Sequence, residues 1–382
     1  MGEAIDFNRL AGPIENDYVR EWKASGRPVV GFFCAHTPEE LLWAAGVLPL
    51  RLRGTGSENT SHADQYLGPF NCRFVRHTLS RLMKGDLAFL DGLLVTNSCD
   101  HIRRLFDIFT AKEVAPFNHY LDVPHLNSEE SFARLTGQLR DLQAKLESFF
   151  GVTISREALS DAIELYNRTR VLLGRASALR GEDPPRAAGS EVLALSVASA
   201  SMPKDRFNQL LEQRLAELER GEAPPASPGP RLLVLGGALD EPGYLEQIES
   251  LGASIVADQL CWGSKSFADL TNEETDPIDA IARRILEHMP CPRMLGQYPQ
   301  RLANLLQAVK RYRVDGIICE RLKFCDLWGG EIEMLRRSLK QEAGIPVLVL
   351  ERDYAAAGGV GQLRTRVQAF LETLAREGQR TQ

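Results

Sequence analysis

Seven cysteines are the residues of this sequence most able to do chemistry: Cys34, Cys72, Cys99, Cys261, Cys291, Cys319 and Cys325. An odd number in a 382-residue chain, with no signal-peptide apolar stretch in the first thirty residues, does not make a disulfide framework. They are read as thiols. A thiol fills a core, acts as a nucleophile or binds metal. No C-x₂-C pair occurs, which disfavours structural zinc, because its ligands come in closely spaced pairs. An iron–sulfur cluster accepts cysteines far apart in the chain. Spacing alone leaves two readings open: seven buried structural thiols, or a thiolate site assembled from distant segments.

Fewer residues accompany them. His36 follows Cys34, and His101 follows Cys99-Asp100, so both are placed at the mouth of a cleft, as proton donors or as surface and capping residues. Arg103-Arg104 and Lys265 either meet phosphates or are solvated helix charge. Gly263-Ser264-Lys265-Ser266 lacks the upstream glycine loop of a phosphate-binding motif, so the chain is expected to hydrolyse no ATP. Gly236-Gly237 is too little for a dinucleotide fingerprint.

The elements that must position these residues are legible as short apolar runs. They span 28–34, 48–54, 91–99 and 118–123 in the first third, and 231–237, 253–261, 315–320 and 345–353 in the last. Such runs are strands buried on both faces of a parallel sheet, with amphipathic helices between them. Thr37-Pro38-Glu39-Glu40 reads as a capping box opening one of those helices. Residues 128–151, 155–181 and 203–221 keep a helical period, and the proline- and glycine-rich stretch 221–230 reads as a linker. The expected fold is α/β: two similar Rossmann-like parallel-sheet lobes facing a cleft, with a helical segment between them. The expected units are 1–127, 128–228 and 229–382.

The two α/β parts resemble each other. Cys72, a helix, Asp91-Gly92, a strand and Cys99-Asp100 recur as Cys291, a helix, Asp315-Gly316, a strand and Cys325-Asp326. On this reading Cys34 and Cys99 end strands, and Cys261 and Cys325 lie in the loops just beyond. Cys72 and Cys291 each open a helix, whose amides favour thiolate. Carboxyl ends of parallel strands are where ligands bind. Six thiols are thus expected at one cleft, with Cys319, inside the strand at 315–320, left as core.

Net charge is −6, from 45 Lys and Arg against 51 Asp and Glu, and no basic stripe argues for nucleic acid. No run of apolar residues is long enough to span a membrane. A cytoplasmic protein is expected.

The segments VGFFCAHTPEELLWAAGVLPLRL, CRFVRHTLSRLMKGDLAFLDGLLVTNSCDHIRRLFD, VADQLCWGSKSF, PCPRM, DGIICERLKFCDLWGGE and ERDYAAAGGVGQLRTRVQAFLE, in that order, resemble the 2-hydroxyacyl-CoA dehydratase / benzoyl-CoA reductase subunit family. The resemblance implies an oxygen-sensitive subunit whose [4Fe–4S] cluster is held by Cys72, Cys99 and Cys325, with one iron site open. It implies a separate ATP-hydrolysing activator with its own [4Fe–4S] cluster, a homologous second subunit or a second copy of the chain, and an acyl-CoA substrate. In the dehydratases the electron makes a ketyl radical of a 2-hydroxyacyl-CoA; in the reductases it enters an aromatic ring. Cys34, Cys261 and Cys291 also stand in family-like motifs. Some relatives carry a double-cubane [8Fe–9S] cluster on six cysteines, as homodimeric reductases, and that is the alternative. HIRRLFD after Cys99-Asp100 is nearer the dehydratase and benzoyl-CoA reductase pattern. GVGQLRTR (359–366) either binds CoA phosphates or caps the last helix.

Overall fold

The computed structural model describes residues 6–221, 229–288, 290–354 and 360–380. Each of the eight apolar runs is a strand. Strands β1 (Val29–Phe32), β2 (Leu48–Arg51), β3 (Gly92–Thr96) and β4 (Phe117–Leu121) form one parallel sheet in the order β2-β1-β3-β4. Strands β5 (Arg231–Gly236), β6 (Ser254–Leu260), β7 (Gly316–Leu322) and β8 (Val347–Arg352) form a second in the order β6-β5-β7-β8. The same winding occurs twice. The inner strands are buried at every position of β1 and β3, which is why they carry no polar alternation.

The Asp-Gly pairs do the same work in both sheets. Asp91 donates its amide to Val29 O (2.9 Å) and accepts the Val29 amide on its carboxylate (2.8 Å). Asp315 donates to Arg231 O (2.8 Å) and accepts the Arg231 amide (2.7 Å). The glycine that follows leaves room for a neighbouring ring: a Cβ would come within 2.8 Å of Phe117 at Gly92 and within 2.8 Å of Phe370 at Gly316. The repeat is therefore structural as well as a matter of letters.

Helices α1 (Phe7–Ala11) and α2 (Asp17–Ala24) precede the first sheet. Helices α3 (Glu39–Ala44), α4 (Arg73–Lys84) and α5 (Asp100–Ala111) cross it. Helices α6 (Glu129–Phe150), α7 (Arg156–Arg180), α8 (Gly189–Ser199) and α9 (Lys204–Glu219) follow. The second sheet carries α10 (Pro242–Glu249), α11 (Pro277–Glu287), α12 (Tyr298–Arg311), α13 (Asp326–Ala343) and α14 (Val360–Arg380). Helix α6 packs on α11, α7 on α3 and α9, and α8 on β6 and α10, so the middle helices cover both sheets. Helix α8 is buried on nearly every side, and without a polar face it has no amphipathic period to read.

The capping box is a correction. Pro38, not Thr37, takes the cap position of α3, with no side-chain hydrogen bond, and Thr37 Oγ1 is left without a partner. Glu40 is drawn away instead: its carboxylate accepts from Arg170 Nη2 (2.5 Å) and Thr271 Oγ1 (3.1 Å). A buried guanidinium needs its counter-charge more than a helix start needs a box. Most of the expected linker, residues 222–228, lies outside the described residues, as does Gly359. From Val360 the GVGQLRTR stretch is already α14, with Arg366 donating to Val349 O (2.6 Å).

Candidate functional site

Three cysteines are helix N-caps. Cys72 precedes α4, Cys99 precedes α5 beyond β3, and Cys325 precedes α13 beyond β7. Each thiol faces free amides of the helix it opens: Phe74 and Val75 for Cys72, His101 and Ile102 for Cys99, Trp328 for Cys325. Burial outweighs those amides and pushes all three thiols up to about 12, and they raise one another further. Cys34 lies just past β1 and Cys261 directly after β6, as expected.

Cys291 does not open a helix. It sits in a turn well before α12, with Met294 N donating to Cys291 O (2.8 Å) and Arg301 Nη1 donating to the same oxygen (3.0 Å). Pro299 fixes the start of α12, and the backbone before a proline disfavours helix, so the helix cannot extend back to Cys291. Conversely, Cys99 and Cys325 are caps that strand-end reading did not anticipate.

All six of these cysteines line one cavity of about 130 Å³ between the two sheets. Cys319 does not; it is buried inside β7. Cys261 and Cys291 form a hydrogen-bonded thiol pair. Sharing that bond lowers Cys291 to about 5, aided by Lys265, and raises Cys261. Among the described residues no aspartate or glutamate lines the cavity, whereas Arg51, Lys265 and Arg293 do. Arg51 lies over the Trp262 ring at 4.0 Å and donates to Phe33 O (3.1 Å) and Cys261 O (2.8 Å). Arg293 donates to Val123 O (2.8 Å) and Asn97 Oδ1 (3.0 Å).

The two histidines part company. His36 lies inside the cavity rather than at its mouth, 3% exposed, with Nδ1 3.4 Å from Cys34 Sγ and its ring edge-on to His288 at 5.4 Å. Burial, then Arg293, lowers it to about 3, so the ring is neutral. His101 is not among the lining residues. Its Nδ1 is 3.0 Å from Asn71 Oδ1 and its Nε2 3.0 Å from Asp326 Oδ2, so it ties α5 to α13. Arg103 and Arg104 are exposed, and Arg103 pairs with Asp100. Lys265 departs from both readings given it: it is a buried cavity residue. Arg51, Arg293 and His288 were not singled out from sequence, since a lone arginine in LPLRLR or PCPRM carries no spacing signal.

Among the described residues, no group of three or more His, Cys, Asp and Glu stands close enough to hold a single metal ion. The cavity presents six sulfur donors together with the cationic side chains of Arg51, Lys265 and Arg293. That combination suits a multinuclear, thiolate-bound, anionic group better than one ion.

The sequence profile of the family described as 2-hydroxyglutaryl-CoA dehydratase, D-component, matches residues 34–374. YjiM of Escherichia coli (strain K12), which carries the name of a dehydratase subunit, is 30% identical over 93% of this chain and 94% of its own. The (R)-phenyllactyl-CoA dehydratase beta subunit of Clostridium sporogenes is 27% identical over 96% of this chain and 98% of its own. A benzoyl-CoA reductase subunit of Thauera aromatica is 26% identical over 80% and 81%. Similarity of this extent, across both sheets and the helices between them, shows that the chain belongs to the 2-hydroxyglutaryl-CoA dehydratase D-component family.

Proposed function

We propose that this chain is the iron–sulfur subunit of an ATP-activator-dependent enzyme acting on CoA thioesters, of the (R)-2-hydroxyacyl-CoA dehydratase or benzoyl-CoA reductase type. The observation that carries the reading is the convergence of six cysteines from two lobes on one cavity with no carboxylate among its described lining residues. Cys72, Cys99 and Cys325 are the residues that would hold a [4Fe–4S] cluster, since each brings a thiol together with the free amides of a helix start. When bound, the cluster supplies an electron of low potential to the substrate.

The chain's own residues prepare the place for it. The apolar wall of Phe33, Phe74, Ile102 and Leu322 keeps water from the sulfurs. Arg51, Lys265 and Arg293 favour negative charge there. Of the two histidine candidates for holding a proton, His36 faces the cavity, and His101 instead braces Asp326, next to Cys325.

Two relatives are named as subunits of larger enzymes, which supports a homologous second subunit or a second copy as partner. The family resemblance implies a separate ATP-hydrolysing activator with its own [4Fe–4S] cluster, and a chain without a phosphate-loop motif fits that division of labour. Free thiols support a reducing, cytoplasmic setting; among the described residues no helix is long and apolar enough to cross a membrane.

A second reading rests on Cys34, Cys261 and Cys291 lining the same cavity. Six ligands would hold a double-cubane [8Fe–9S] cluster in a homodimeric reductase. Iron and sulfide analysis of anaerobically purified wild type and Cys291→Ala separates the two. The first reading expects about four irons per chain in both proteins. About eight in the wild type, or half the iron lost from the variant, establishes the second.

A further inference from the structure

We propose that Lys265 is the charge-compensating donor of the cysteine cavity: its ammonium hydrogen-bonds the sulfur-rich anionic group held there and raises that group's reduction potential. The inference rests on the iron–sulfur reading above and assigns a role to a residue that reading does not use as a ligand.

Lys265 is 2% exposed and lines the cavity, and its Nζ has no hydrogen-bond acceptor. Its Nζ lies over the Trp328 ring, 4.8 Å from the ring centroid. Burying an ammonium with no acceptor costs more than a cation–π contact returns. The other two cations of the cavity donate to backbone carbonyls, so Lys265 alone among them has its whole charged head without an acceptor.

The carboxylate nearest in sequence among the described residues is engaged elsewhere. Asp258, on the strand that leads into this loop, pairs with Arg180 at 2.6 Å and accepts the Leu260 and Ser264 amides at 2.9 and 2.8 Å. Nor can the side chain leave for solvent, because the loop is pinned on both sides of it. Ser264 Oγ donates to Asp258 O (2.6 Å), and Ser266 Oγ donates to Gly263 O (2.7 Å) and meets Ser196 Oγ (2.9 Å). The groups that share the cavity with Lys265 include the sulfurs of Cys261, four residues before it, and of Cys291. A fixed positive charge in a water-poor cavity stabilises the more negative, reduced form of whatever group the cysteines of that cavity hold.

The test uses the full chain, purified anaerobically as wild type, Lys265→Met, Lys265→Arg and Lys265→Gln. Iron per chain and the midpoint from a dye-mediated potentiometric titration are read for each. Lys265→Met should keep its iron and move the midpoint negative by at least ~59 mV, the one-electron equivalent of a tenfold change in reduction equilibrium. Lys265→Arg should stay near wild type. An unchanged midpoint in iron-replete Lys265→Met overturns the inference, because packing against Trp328 would then be the whole role. If Lys265→Met loses iron, retention by Lys265→Arg with loss by Lys265→Gln still supports the charge, and loss by both contradicts it. A wild type without iron instead overturns the iron–sulfur reading beneath it.

Discussion

At the scale of single residues, chemistry was legible where the residue type is rare and illegible where it is common. Cysteines declare themselves by number and by position after strands, so all six cavity thiols were visible in the sequence. Arg51, Arg293 and His288 were not, because only the fold shows that an arginine at a strand end turns inward. The same holds for Glu40, whose letters spelled a helix cap and whose partner, Arg170, lies 130 residues away. Arg170 holds the Glu40 carboxyl down at about 2 against the opposing effect of burial, from an ordinary 4.5. A depressed carboxylate stabilises the fold fully above the unfolded value and loses that contribution as pH falls toward the folded one. Wild type should therefore lose stability between pH 4.5 and about 2 in part through this pair, and Glu40→Gln should flatten that portion of the curve. At neutral pH, Glu40→Gln should lower stability by about 3–5 kcal/mol in urea unfolding, since it leaves Arg170 buried and unpaired. Arg170 Nη1 also donates to Asn167 Oδ1 (3.0 Å) and Thr271 Oγ1 (3.2 Å), and an unchanged midpoint would show that these two suffice for it.

At the scale of elements, strands were read correctly because burial on both faces leaves a continuous apolar run. Helix α8 was missed for the mirror-image reason: a helix buried all round has no stripe. The start of α12 was misplaced because Cys291 mirrors Cys72 in the repeat and was read as opening a helix in the same way, whereas Pro299 sets that start. The Asp-Gly pairs were read as a repeat, and their function became visible only as hydrogen bonds. Asp315→Ala should cost about 1–3 kcal/mol, for a strand amide left without its acceptor. Asp91→Ala should cost more, because Asp91 also takes Lys23 Nζ at 2.7 Å. Equal thermal shifts for the two would refute that ordering. Gly263→Ala tests the loop between β6 and Lys265. Its methyl would overlap Asp258 Oδ1, displacing the carboxylate from the amides it holds, and about 1–3 kcal/mol should be lost. Calorimetry of the variant measures this.

At the scale of the whole molecule, the cavity exists because two sheets of the same winding present their carboxyl edges to each other, as the repeat of Cys-Asp after equivalent strands anticipated. What holds the lobes in register was not legible, since it depends on side chains that meet only after folding. Tyr354, just past β8, donates its hydroxyl to Asp240 (2.6 Å) and accepts the Gly54 amide (3.1 Å) from the opposite lobe. It packs edge-on against Phe74 at 5.5 Å, two residues from Cys72, while Arg73 pairs with Asp353 at 3.0 Å. Tyr354→Phe should keep the packing and lose about 1–3 kcal/mol, for the Gly54 amide left without its acceptor and for one of the two hydroxyl bonds to Asp240, which keeps Thr55 Oγ1 at 2.6 Å, read as a lower unfolding midpoint. Iron loss on air exposure should also be faster, because Cys72 reaches its place through this seam.

The central claim is that thiols from both lobes hold one iron–sulfur group. The measurement that bears on it most directly is iron and acid-labile sulfide per chain in anaerobically purified wild type, Cys99→Ala, Cys325→Ala and Cys319→Ala. The wild type should be brown, with about four or more irons per chain. Cys99→Ala from the first lobe and Cys325→Ala from the second should each lose the group, while Cys319→Ala, in the core of β7, should keep it. An iron-free wild type, or iron that survives loss of either Cys99 or Cys325, would contradict the account.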